Sequence, residues 1–331
     1  MEIFYPAYYH QFSCIAAQCP DSCCKEWDVD IDAETVDFYR SLSGPLGDRL
    51  RQVLHDTEDG TVMTIENGRC PMWRQDGLCR IQAELGHDSL CQVCRDFPRL
   101  RHDYGSFVEM GLELSCPEAA RLILTAPDRS LTAQIVPGGE APEYDTEAMA
   151  ILQHTRNTFL NFLETTDLPF PQVLTVLLFY AHSVQAELDG GEPAVLSTDI
   201  SIPALPTGTS LPLQDFFRDL EILTPQWKTR LAAPSVSPQW TKQHIALLHY
   251  FILRYWLQAV SDYDLVCRAK FAIAACLLIG CMGGDLTETA QLFSKEIEND
   301  PDNVDAILDG AYTAPALTDV NILKLLLEVD P

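Results

Sequence analysis

The apolar positions of this chain change period along its length. From about residue 145 they recur at i, i+3 and i+4, the spacing of one buried helix face. Ala148–Leu163 and Pro171–Leu188 carry this pattern. Pro171 suits a first helical turn, where its missing N–H leaves no bond unmade. Pro238–Val260 and Leu265–Met282 are so apolar that they predict central helices. Shorter helices are predicted over about 286–298 and 302–310, on either side of Asn299-Asp-Pro-Asp302, and over about 318–328. The pair around residue 300 has the flavour of a helical repeat, but one instance makes no array.

Nearer the start, the predicted elements are short and irregular. Trp27–Ile31 alternates like a strand, and Asp32 stands at the N-cap of a helix carrying Val36, Tyr39 and Leu42. Cys70–Cys79 reads as a hairpin, with Asp76-Gly77 supplying the positive-φ turn. The stretch Val136-Pro-Gly-Gly-Glu-Ala-Pro142 has linker composition, and a second break runs from Gly190 to Gly208. The expected fold is mainly α. An irregular cysteine-rich N-terminal domain with short strands, residues 1–130, precedes a helical C-terminal domain, residues 131–331.

Composition narrows the function classes. With 331 residues, 47% of them hydrophobic, the chain can bury one or two cores. Its 48 acidic against 22 basic residues give a net charge of -26. That balance argues against a nucleic-acid backbone or an anionic membrane surface, and leaves room for a lysine-bearing partner. The first residues show no basic-then-apolar leader, and the longest apolar run, Phe271–Met282, is too short to span a bilayer. A cytoplasmic, reducing location is therefore expected, where clustered cysteines mean metal or redox chemistry rather than disulfides.

Nine of the 12 cysteines lie between Cys14 and Cys116. They form four groups: Cys14, Cys19, Cys23 and Cys24; Cys70 and Cys79; Cys91 and Cys94; and Cys116. The x2 spacing lets Cys91 and Cys94 converge on one centre, and the hairpin would bring Cys70 towards Cys79. Adjacent Cys23 and Cys24 tend to diverge, so they serve two centres or one of them is structural. The pool supplies one four-thiolate site with five to spare, or two sites with one left over. The bland alternative is a set of buried thiols acting as small hydrophobes, and it suits Cys267, Cys276 and Cys281 on their apolar helix. Spacing does not separate zinc from iron. It does exclude a radical-SAM loop, because Cys19-x3-Cys23 would need a cysteine where Glu26 stands.

The run Phe12-Ser-Cys-Ile-Ala-Ala-Gln-Cys-Pro-Asp-Ser-Cys-Cys-Lys-Glu-Trp-Asp-Val-Asp-Ile-Asp32 closely resembles the start of the flagellin lysine-N-methylase family. Arg69-Cys-Pro71 with Gly77-Leu-Cys79-Arg-Ile, Leu90-Cys-Gln-Val-Cys-Arg-Asp-Phe-Pro-Arg99 and Leu114-Ser-Cys-Pro-Glu-Ala-Ala120 follow in the family's order. The region, about residues 5–125, also looks like a wider group of cysteine-cluster proteins proposed to chelate zinc or iron. The resemblance implies methyl transfer from S-adenosylmethionine (SAM) to lysines of flagellin. It further implies a [4Fe–4S] cluster, with zinc as the alternative. The implied ligand pool is Cys14, Cys19, Cys23, Cys24, Cys70, Cys79, Cys91, Cys94 and Cys116. It identifies no SAM-binding residue.

Methylating a lysine requires its neutral amine, so a desolvating site with a carboxylate or tyrosine as proton acceptor is expected. Tyr5, Tyr8, Tyr9, Glu109 and Glu113 are the right residue types near the motifs, though each also suits ordinary packing. Asp28, Asp30 and Asp32 open like a calcium loop, but Ala33 and Tyr39 occupy its glycine and glutamate positions, leaving a strand face and a cap. Arg95, Arg99 and Arg101 form a small basic patch, read as a solvated face or as a rim for thiolates or the SAM carboxylate. His10, His87 and His102 are spare ligands. Gly280-Cys-Met-Gly-Gly-Asp285 reads as a helix end rather than a cofactor loop. Two other readings compete with the methylase: a non-enzymatic zinc- or iron-binding scaffold, and an iron–sulfur redox protein.

Overall fold

A computed structural model describes residues 1–329. Strand β1 (Glu2–Pro6) leads into the first cysteine loop, then β2 (Val29–Ile31), helices α1 (Ala33–Ser41) and α2 (Gly44–Val53), and strands β3 (Leu54–Asp56) and β4 (Thr61–Met63). Short helices α3 (Arg80–Leu85) and α4 (Gln92–Asp96) precede β5 (Arg99–Asp103), β6 (Phe107–Leu112), α5 (Pro117–Thr125) and β7 (Leu131–Ile135). The rest is helical: α6 (Thr146–Thr165), α7 (Phe170–Leu188), α8 (Leu213–Arg218), α9 (Pro225–Ala232) and α10 (Lys242–Tyr255) come first. They are followed by α11 (Val266–Met282), α12 (Leu286–Phe293), α13 (Pro301–Thr313) and α14 (Asp319–Val329). Helix makes up 54% of the chain and strand 11%, so the fold is mainly α with its small sheets near the N-terminus, as the pattern predicts.

The predicted central helices occupy the centre. Helix α11 is buried from Val266 to Gly280, charged only at Arg268 and Lys270 and apolar on every face beyond them, and is packed by α7, α10 and α13. Gly280 is required there, because a Cβ would stand 2.5 Å from the Trp240 ring. The helix ends where Gly283 and Gly284 take positive φ, and Asp285 then caps α12, so this glycine stretch is a helix end. Cys267 and Cys276 are buried on α11, while Cys281 is half-buried near its end.

Local signals hold in the N-terminal region as well. Asp32 Oδ1 accepts the Thr35 N–H at 3.0 Å and starts α1, while Oδ2 accepts the Gln92 N–H at 2.9 Å and starts α4. One carboxylate thus caps two helices, each cap contributing about 1 kcal/mol. The 70–79 hairpin shrinks to one bridge, Trp73 to Cys79, closed by Gly77 at φ +80.

Two sheets form. One has the order β2-β4-β3; the other has the order β5-β6-β1-β7, with β1 parallel to β6 and antiparallel to β7. Buried apolar side chains fall into two cores. The smaller runs from Val29 to Cys91 and includes Tyr39, Leu50 and Met72. The larger includes Tyr8, Phe107, Leu112, Cys116 and Ile123 together with the helical half. Packing therefore joins β1, β6 and α5 to the helices that follow. Among the described residues no helix is long and apolar enough to cross a membrane.

Candidate functional site

The cysteine loop is folded back on the chain by backbone pairing. The Glu26 N–H donates to Gly68 O, and the Cys70 N–H donates to Cys24 O at 2.8 Å, which sets Cys24 beside Cys70. The Trp73–Cys79 bridge turns Cys79 back towards the same place. Cys91 is the N-cap of α4 and Cys94 lies in its short helical turn. Cys23 and Cys24, Cys24 and Cys70, and Cys91 and Cys94 are neighbours close enough to shift one another's ionisation. Cys19 and Cys23 lie close enough to influence ionisation of Cys116, and Cys14 that of Cys19. All nine thiols of the sequence pool thus share one neighbourhood, and none is in a disulfide.

Burial and neighbouring thiols disfavour the ionisation of Cys19, Cys23, Cys24, Cys79, Cys94 and Cys116. Burial pushes Cys116 up to about 12. The Cys23 thiol pulls Cys24 down, but the Cys70 thiol, burial and the other neighbouring thiols carry it up to about 12. Two thiols go the other way: Cys24 lowers Cys70, and Cys94 lowers Cys91. Among the described residues no three His, Cys, Asp or Glu side chains converge into a group able to hold a metal ion. The donor chemistry nonetheless fits a thiophilic cation: soft sulfurs outside any disulfide, six of them held protonated by burial and neighbouring thiols, which is the burden a bound cation removes.

The spare histidines lie elsewhere. His10 packs on Tyr5 and Tyr9, His87 sits beside Asp88, and His102 pairs across the sheet with Glu109. The basic patch is divided too, since Arg101 binds Asp103 at 2.6 Å and Arg99 lies over the Phe12 ring.

The loop also meets the helical half. After α12 the chain makes one π-helical turn, Ser294–Glu298. From it Lys295, only 3% exposed, reaches Asp21 at 3.0 Å and Glu26 at 2.5 Å, with Trp27 beneath its ammonium. The Gln291 amide donates to Asp21 Oδ2 at 3.1 Å and to Ser115 O at 2.8 Å. Neither residue has a local sequence signal, because their partners are roughly 180 to 270 residues away.

The proposed proton acceptors fare differently. Both oxygens of buried Glu109 accept from Arg156, at 2.7 and 2.5 Å. Tyr8 is buried, and burial raises its pKa far above that of a free phenol. Glu113 is buried and its pKa raised by desolvation, with Arg254 opposing the rise. Nearby, Glu298 accepts from the Tyr250 and Tyr255 hydroxyls and pairs with Arg254 at 3.3 Å. The cavity against Tyr250, Arg254 and His102 has about 30 Å³, room for about one water molecule. A cavity of that size admits no lysine side chain. Tyr5 is half-buried beside exposed His10 and is the most open of the five.

Two open grooves have the volume of a nucleoside-sized site. One, about 1120 Å³, is lined by Asp103, Tyr104, Glu140, Tyr144, Asp145 and Tyr263. The other, about 940 Å³, presents Phe4, Arg129, Tyr144, Asn157, Arg156 and His249.

No family model matches the chain, and no solved structure matches it. The flagellar biosynthetic protein FliU of Salmonella muenchen is 33% identical over 136 residues, which cover 77% of that protein and 37% of this chain. Lysine-N-methylases of Salmonella typhimurium and Salmonella choleraesuis are 33% identical over 136 residues as well. In those two the match spans 32% of their length. This chain belongs to the family that contains FliU and these lysine-N-methylases.

Proposed function

We propose that this chain is a protein-lysine N-methyltransferase that uses SAM, acts on flagellin, and carries a thiolate-bound metal centre in its cysteine-rich segment. The observation that carries the reading is kinship with proteins named lysine-N-methylase and FliU, the second name being flagellar. The nine gathered thiols support the metal centre, and the ligands are proposed from Cys14, Cys19, Cys23, Cys24, Cys70, Cys79, Cys91, Cys94 and Cys116. Bound there, a [4Fe–4S] cluster would supply one-electron chemistry, and zinc would supply a structural cross-link.

The chain's own task is to receive a lysine, hold its amine neutral and aim it. An ordinary lysine has a pKa of about 10.4, so neutrality at pH 7 costs roughly 4–5 kcal/mol at 1.36 kcal/mol per unit. Glu109 is committed to Arg156, and Tyr8 and Glu113 are enclosed. The 940 Å³ groove suits SAM: Arg129, held loosely by Glu164 at 3.5 Å, can turn to a ligand carboxylate, and half-buried Phe4 and Tyr144 offer ring faces. Calorimetry of the metal-loaded chain with SAM should give a saturable signal, weakened about tenfold or more by Arg129→Ala. Absence of any SAM binding would count against the methyltransferase.

A second reading has one observation in its favour. The match spans only 32% of each lysine-N-methylase, so the shared segment can be a metal-binding interaction module without the transfer machinery.

A further inference from the structure

We propose that Lys295 and Gln291 form a dock that seats the Cys19–Cys24 loop against Cys116, so that the helical half of the chain completes the thiol centre. The proposal rests on the reading that these thiols hold a metal.

No residue from Ser13 to Asp28 is fully buried, so apolar packing does little to fix the loop's position. The thiols around it belong to different bodies: Cys91 is part of the small core, with Cys70 and Cys79 packed on it, while Cys116 is part of the large one. Polar ties must therefore set the distance between the loop and Cys116. On the small-core side there is the Cys70–Cys24 backbone bond. On the other side stand the contacts of α12 and its π-helical turn. Gln291 bonds Asp21, between Cys19 and Cys23, and also the carbonyl of Ser115, next to Cys116. One amide thus spans the two thiol-bearing segments.

Lys295 adds the charge. Its ammonium sits between Asp21 and Glu26, which bracket Cys23 and Cys24, and Asp21 also holds Lys25 at 3.2 Å. Lysine suits this place because a compact ammonium with three donors can serve two carboxylates at once. Without it, two neighbouring carboxylates would repel each other against the buried wall of α12 and push the loop away. A π turn aims a side chain differently from a regular helix and is frequent at functional sites. Lys295 and Gln291 are positioning residues: they act through Asp21 and Ser115.

The test uses the full chain, stripped of metal under anaerobic conditions and titrated with cobalt(II) alone. Thiolate ligands announce themselves by a charge-transfer absorption band, and each variant's helical circular dichroism reports its fold. The unaltered chain should bind cobalt with that band. Lys295→Met should lose about tenfold or more in affinity and show a weaker thiolate band per cobalt, the size expected for outer-shell supports of metal ligands. Lys295→Arg, which keeps the charge, should recover much of both. Gln291→Met leaves no buried charge unpaired and should shift affinity and band in the same direction. It decides the matter if Lys295→Met loses its helical signal. Variants that melt earlier yet bind cobalt with unchanged affinity and spectrum would overturn the dock and leave the metal reading intact. If the unaltered chain binds no cobalt through thiolates, the metal reading falls and the dock with it.

Discussion

Removing the proposed thiol-bound metal with a chelator, under anaerobic conditions, is expected to unfold residues 13–96 while the helical half stays folded. The small core contains only 13 buried residues, and the sheet beside it is made of three strands of three residues each. Its helices α3 and α4 have six and five residues, too short to stand alone. A unit of this size usually needs a staple, and a structural thiolate–metal centre contributes about 10–16 kcal/mol at neutral pH. The large core depends on no such support, since α7 and α11 bury long apolar faces against each other and against α10. Hydrogen exchange read by mass spectrometry separates the two. Amides of β2, α1, β4 and α4 should lose protection on chelation while those of α7 and α11 keep it. Unchanged protection throughout would show that the small core stands without metal.

The second large effect is expected at the junction of the sheet and the helices. Arg156 on α6 and Glu109 on β6 are both buried, and two parallel hydrogen bonds join them. Arg156→Met leaves the Glu109 carboxylate buried with neither bond, which should cost about 3–5 kcal/mol of stability. Replacing both residues, Glu109→Gln with Arg156→Met, should recover part of that loss because the stranded charge is gone. Denaturant titrations of the two variants check this. A loss below about 1 kcal/mol for the single variant would mean that Glu109 finds water or another partner.

Helical features were legible in the sequence because their information is local. The i, i+3, i+4 pattern marks α6, α7, α10 and α11, and Asp32 announces α1 by its position alone. The four-stranded sheet was not anticipated. Its central pairing sets Glu2 beside Phe107 and Ile135, contacts that no window of sequence contains. The same long-range pairing places β1, β6 and α5 in the large core, although they precede the linker-like stretch at Val136–Pro142. In the candidate site, residue type and spacing pointed to the thiols. What surrounds them was invisible: Lys295 meets Asp21 from 274 residues away, and Arg156 takes up Glu109 from 47. Glu109 has the right chemistry for a proton acceptor, and only its partner reveals that it is occupied.

The central claim is methyl transfer from SAM to protein lysine. Its most direct test incubates the metal-loaded full chain with methyl-labelled SAM and flagellin, then maps label by peptide mass spectrometry. The account predicts label on flagellin lysine side chains that depends on both the chain and SAM, and that falls sharply when the chain is stripped of metal. Metal-loaded chain that binds SAM yet leaves every flagellin lysine unlabelled would contradict it.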